Sequence, residues 1–131
     1  MSGDTGEFRL AFFAREYEVS IAFYRALGFP VVEEWDRGSA DRGMIFQVNG
    51  GMIETMALPP EDARGGGWDY DPPSGVTVAI EVNDVTELFK RVQARHLTVR
   101  EGLKEQTWGH RSFQLTDPDG VCLYLFSKLR S

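Results

Sequence analysis

The sequence predicts an α+β fold: two tandem βαβββ units that together shape an open, trough-like mixed sheet. Three observations carry this. The order strand, helix, three strands occurs twice within 131 residues, offset by about seventy. Phe23-Tyr-Arg-Ala-Leu-Gly-Phe-Pro-Val-Val32 is echoed in pattern by Phe89-Lys-Arg-Val-Gln-Ala-Arg-His-Leu-Thr-Val99. A hairpin with an Asp117-Pro-Asp-Gly120 turn closes the second unit. Two such units in a short chain suit half-barrels set edge to edge, since a solenoid needs more repeats.

The elements follow in chain order. Phe8 to Ala14 reads as a first strand. A helix follows from about Tyr17 to Leu27, with Val19, Ala22, Phe23, Ala26 and Leu27 at helical spacing. Gly28 stands where a left-handed residue ends a helix, and Pro30 keeps the helix from resuming. Val31 to Trp35, Met44 to Val48 and Met52 to Ala57 read as strands, the last two joined by Asn49-Gly-Gly51. From Leu58 to Gly75 the periodicity dissolves into a Pro- and Gly-rich loop carrying Trp68 and Tyr70.

Val76 to Val82 begins the second unit as a strand. Asp84 is placed to cap a helix, with Glu87 three residues on, and that helix ends near Arg95. Leu97 to Val99 returns as a strand that extends towards Lys104. Arg111 to Leu115 and Val121 to Phe126 form the closing hairpin. In its turn Pro118 presets φ, Asp117 and Asp119 can bond their own backbone, and Gly120 accepts positive φ. The chain therefore reads as one domain over residues 1–131, with units at about 8–58 and 76–127 and a loop at 59–75.

Composition narrows the function. A net charge of −6 argues against a nucleic-acid partner, which calls for a basic stripe, and admits a cationic ligand. No apolar run reaches the roughly 20 residues of a membrane span, and no secretory signal is expected at the N-terminus. One cysteine, Cys122, cannot form an intrachain disulfide, so a reducing cytoplasm is the expected location.

Ser20-Ile-Ala-Phe-Tyr-Arg-Ala-Leu-Gly-Phe29, then Trp108-Gly-His-Arg-Ser-Phe113 and Asp117-Pro-Asp-Gly120, resemble the vicinal oxygen chelate superfamily over about Phe8 to Ser127. That superfamily includes glyoxalase I, fosfomycin-resistance enzymes, extradiol dioxygenases and bleomycin-resistance proteins. The Trp-Gly-x-Arg-x-Phe run is most similar to the bleomycin-resistance branch. The resemblance implies the glyoxalase/bleomycin-resistance fold and a homodimer with pockets at the subunit seam.

In the superfamily's metalloenzymes, the first and last strands of each unit supply His, Glu or Gln ligands to a divalent metal. The resemblance carries those positions onto Arg9, Thr77 or a neighbour, Glu54 and Tyr124. Period-two alternation supports the same faces: Arg9, Ala11 and Phe13; Met52, Glu54 and Met56; Cys122, Tyr124 and Phe126. Of the four, only Glu54 is a good metal ligand. A guanidinium has no lone pair to give and repels a cation. His96 and His110 fall outside the ligand positions. No metal site and no cofactor are expected.

Arg9 should pair with Glu54, either to satisfy a buried carboxylate or to meet a ligand. Trp35, Phe46, Trp68, Tyr70, Trp108 and Tyr124 are candidate aromatic walls, with Asp69 and Asp71 beside the loop pair. Trp35 and Phe46 also fit core positions, and Trp68 a dimer seam. Arg111 suits a structural ion pair and Cys122 a packing role. The expectation is a metal-independent protein without catalytic residues that sequesters a cationic or aromatic small molecule, such as an antibiotic or metabolite. The alternative is a glyoxalase-like lyase/isomerase or a dioxygenase using a divalent metal.

Overall fold

The computed structural model describes residues 6–38, 41–64 and 69–129. Unit one comprises β1 (Arg9–Ala14), α1 (Tyr17–Ala26), β2 (Val31–Asp36), β3 (Arg42–Val48) and β4 (Gly51–Ala57). Unit two comprises β5 (Thr77–Glu81), α2 (Val85–Ala94), β6 (Val99–Glu105), β7 (His110–Thr116) and β8 (Cys122–Lys128). Each unit folds one four-stranded sheet, in the orders β1-β4-β3-β2 and β5-β8-β7-β6. In both, the first strand pairs in parallel with the last, and the other pairings are antiparallel. This is the α+β arrangement of two tandem βαβββ units that the sequence predicts.

Alternation decides which face of each sheet is buried. Phe12, Ile53, Thr55, Met44 and Phe46 lie on one face of the first sheet and Leu123, Leu125, Phe113 and Leu115 on one face of the second, all buried. These apolar residues, Thr55 aside, join α1 and α2 in one hydrophobic core that spans both units. The other faces carry Arg9, Ala11 and Glu54, and Thr77, Ala79 and Tyr124, all at least partly exposed. A one-residue slip in any strand would exchange these sets, so core burial fixes the register that places the polar groups.

Helix α1 departs from expectation in its buried stripe. Tyr17, Ser20, Ile21, Phe23 and Tyr24 face inward, whereas Val19 is 49% exposed and Ala22 is exposed. Tyr17, Ile21, Phe23 and Tyr24 bury larger side chains than Val19 and Ala22 offer, and Tyr24 gains a polar partner across the core. Helix α2 keeps its predicted cap, with the Glu87 amide donating to Asp84 Oδ1 at 3.0 Å. Strand β6 starts at Val99 rather than Leu97, because the Leu97 amide still donates to the Val92 carbonyl at 3.2 Å. In the long loop, Glu61–Ala63 form a 3-10 turn.

The units meet through their helices and turns. Tyr24 Oη donates to Asp117 Oδ2 at 2.5 Å, and Asp117 Oδ1 accepts from the amides of Asp119, Gly120 and Val121 at 2.8–2.9 Å. Asp119 does not bond its own turn as expected; its Oδ1 accepts from the Arg15 amide at 3.0 Å, tying the second unit's turn to the start of α1. At the opposite end, Asn49 Nδ2 donates to the Glu81 carbonyl. Arg91 of α2 and Arg95, the residue that caps it, donate to the Leu27 and Ala26 carbonyls at the C-terminus of α1, where carbonyls lack helical partners.

Candidate functional site

The predicted site residues separate into groups. On the first sheet, Arg9 and Glu54 meet. Arg9 Nη1 donates to Glu54 Oε1 at 2.8 Å, and Arg9 Nε donates to Glu7 Oε2 at 2.7 Å. The bond to Glu54, followed by that to Glu7, raises the guanidinium pKa further above its ordinary value. Arg9 is therefore a fixed cation bracketed by two carboxylates.

Trp35 shares this sheet face but stands on the far edge strand. Three strand spacings separate β1 from β2, roughly 14 Å. The indole lies flat across Gly43, where an added Cβ would sit 2.1 Å from the ring. Its Nε1 donates to Asp41 Oδ1 at 3.3 Å, and the Arg37 guanidinium stands 5.8 Å from the ring centroid. Trp35 is brought to the same surface as Glu54 but not into contact with it.

On the second sheet, Tyr124 is the hub. Its hydroxyl accepts from Trp108 Nε1 at 3.1 Å and lies 3.1 Å from His110 Nδ1. His110 stacks on Phe126 with centroids 4.1 Å apart and planes at 15°. Trp108 is 61% exposed, so a flat aromatic face is held open to solvent by a hydrogen bond. Thr77 lies on this sheet face, in register with Cys122 and two residues before Ala79, the partner of Tyr124.

Phe126 did not figure among the expected site residues. Its signal was the period-two row it shares with Cys122 and Tyr124. What the row could not reveal was the His110 ring lying on it, because that depends on the β7–β8 pairing. Cys122 itself is 3% exposed and its Sγ lies 3.3 Å from Gln114 Oε1, consistent with packing.

The expectation that Phe46 lines the site is corrected. It is fully buried on the helix-facing side of β3, with its ring 5.6 Å from that of Tyr24. The physical reason is alternation: Phe46 pairs with Ile53, a core residue, and not with Glu54. Tyr70 lies with neither sheet-face group; it lines a separate cavity against β1. Trp68 lies outside the described residues. Arg111 does form the expected ion pair, to Glu105 at 2.6 Å, and adds a bond to Thr86 of α2.

The donor set does not suit a divalent metal. Among the described residues, no three His, Cys, Asp or Glu side chains gather to hold an ion. Glu54 Oε1 already receives Arg9, whose charge opposes a second cation. Thr77 and Tyr124 are weak ligands and stand on the other sheet. Among the described residues, no hydrogen bond, ion pair or ring contact joins the Arg9–Glu54 pair to the Tyr124 cluster. Among the described residues, no helix is long and apolar enough to cross a membrane.

A two-unit βαβββ chain with one polar pair and one aromatic cluster on its open sheet faces defines the class. Residues 8–124 match the Glyoxalase/Bleomycin resistance protein/Dioxygenase superfamily, and the chain belongs to that family. Among solved structures it is similar to TioX from Micromonospora sp. ML1, with TM-score 0.74 and 17% identity over 95% of this chain and 100% of that one. It is similar to a bleomycin resistance determinant encoded on the transposon Tn5, with TM-score 0.65 and 26% identity over 95% and 98%. It is also similar to a bleomycin-binding protein complexed with bleomycin, with TM-score 0.63 and 25% identity over 95% and 98%. No curated protein sequence matches the chain.

Proposed function

We propose that this protein binds a planar or cationic small molecule without metal and acts by sequestration rather than by bond chemistry. The observation that carries this is the aromatic face of Trp108, His110, Tyr124 and Phe126. Its Trp108–Tyr124 hydrogen bond holds a 61% exposed indole in place, ready to stack. Preorganised aromatic surface of this kind favours a ligand with an extended π-face. The likeness to two proteins of bleomycin resistance and binding, at 25–26% identity, supports a ligand of that breadth.

A homodimer completes the site in this reading. Arg9–Glu54 and the Tyr124 cluster lie on separate sheets, and among the described residues no hydrogen bond, ion pair or ring contact joins them. A second copy that seats the first sheet of one chain opposite the second sheet of the other would close a pocket around both. The fixed charges of Arg9 and Glu54 would then orient a polar ligand that the aromatic face stacks upon. A lyase or dioxygenase role has less support, because Glu54 is held by Arg9 and the other family positions are Thr77 and Tyr124.

The test is tryptophan fluorescence titrated with bleomycin, with and without EDTA, alongside light scattering of the free and liganded protein. Saturable quenching unchanged by EDTA, from a particle of twice the chain mass, is the expected result. Quenching that requires added zinc or nickel, or turnover of methylglyoxal with glutathione, would overturn the reading.

A further inference from the structure

A cavity of about 410 Å³ lies between β1 and the chain just before β5. Leu10, Phe12, Pro73, Val76 and Val121 contribute apolar walls, and Asp69 and Asp71 stand on the loop side. None of Arg9, Glu54, Thr77, Trp108 or Tyr124 lines it. Its size falls in the range of pockets that hold small organic ligands, roughly 300–1,000 Å³. We propose that this cavity is a second binding site, for a small organic cation: one ammonium group on an apolar, ring-sized body.

The charges around the cavity select that class. Asp69 and Asp71 are both exposed, and among the described residues neither has an ion-pair or hydrogen-bond partner. Arg15 holds its guanidinium 5.7 Å from the centroid of the Tyr70 ring, one cation set against the two carboxylates of Asp69 and Asp71. Tyr70, which also lines the cavity, has a buried hydroxyl with no hydrogen-bond partner, as does Oδ2 of its charged neighbour Asp119. Two lining carboxylates against one neighbouring guanidinium leave the mouth with net negative charge. An anion would be repelled. A hydrated metal ion would find two carboxylates but an apolar wall where further oxygen ligands are needed. An ammonium at the Asp69–Asp71 mouth with its body against Leu10, Phe12 and Val121 satisfies both surfaces.

The experiment is an amide NMR titration of the full chain with 2-phenylethylammonium, 2-phenylethanol and 3-phenylpropionate. The cation should give saturable shifts centred on residues 10–13, Val76 and Val121, and the alcohol should bind about fivefold more weakly or worse. The propionate should not bind. Asp69→Asn/Asp71→Asn should reduce cation affinity by about fivefold to tenfold while leaving the rest of the spectrum in place, and added salt should weaken binding in the same direction. Equal affinity for the cation and the alcohol would overturn the proposal, as would shifts centred on Trp108 and Tyr124 or no saturation by any probe. Trp108→Ala separates the two sites: it should remove bleomycin quenching and leave these shifts unchanged.

Discussion

The Tyr24 hydroxyl and the Asp117 carboxylate form a buried 2.5 Å hydrogen bond that joins the first unit's helix to the second unit's closing turn. Asp117 is 4% exposed and Tyr24 fully buried, so neither can turn to water if the other is lost. The same carboxylate organises the turn through three backbone amides. One acidic residue thus fixes both a local reversal and the packing of the two halves.

Tyr24→Phe should destabilise the protein by about 1–3 kcal/mol, the usual effect of orphaning a buried acceptor. Urea unfolding checks it. Asp117→Ala should cost more, because it also strips the turn of three amide acceptors. Equal losses in the two variants would mean that the turn amides find other partners.

The pair also predicts a pH response. Burial, then the Asp117 charge, raises the Tyr24 pKa well above its ordinary 10.0. Its contribution to folding is complete below that ordinary value and is lost as pH rises towards the folded one, because the unfolded tyrosine ionises first. The wild type should therefore lose stability above about pH 10, and Tyr24→Phe should lose less over the same interval.

Asp117 titrates in the same sense at acid pH. Burial raises its pKa above the ordinary 3.8, outweighing the Tyr24 and backbone hydrogen bonds that lower it. Its contribution is greatest below the unfolded value and fades as pH climbs through the folded one. The stability of Asp117→Asn relative to wild type should rise as pH climbs through that range, measured by thermal unfolding at a series of pH values. A relative fall would show that hydrogen bonding, not burial, controls this carboxyl.

Gly43→Ala tests the seat of Trp35. The new methyl would stand 2.1 Å from the indole, so the ring must leave its strand. The expected cost is about 1–3 kcal/mol, with tryptophan emission shifted to longer wavelength as the ring meets water. Unchanged emission would mean that the backbone moved instead.

At the proposed ligand site, Tyr124→Phe keeps the ring and removes the acceptor that holds Trp108. Bleomycin affinity should fall by about threefold to tenfold, equivalent to the ~1 kcal/mol of one hydrogen bond, with little change in melting temperature. Fluorescence titration gives the first quantity and calorimetry the second.

The sequence by itself determined the repeated strand–helix–strand order, the helix stop at Gly28, the Asp84 cap and the closing turn. It also determined that Arg9 and Glu54 share a sheet face. All of these follow from spacing within a few residues of chain, where side-chain alternation and turn chemistry act locally. Even the stripe of α1 escaped that logic: Val19 and Ala22 have the right spacing, but Tyr17, Ile21 and Tyr24 have the partners.

Only the tertiary structure decided that Phe46 belongs to the core, that His110 lies on Phe126, and that Tyr70 faces a cavity of its own. These placements depend on which strands pair and on how two distant units share a core. The free energy of a buried contact is set by the surface it meets, and in a chain with this topology that surface comes from segments far apart in sequence.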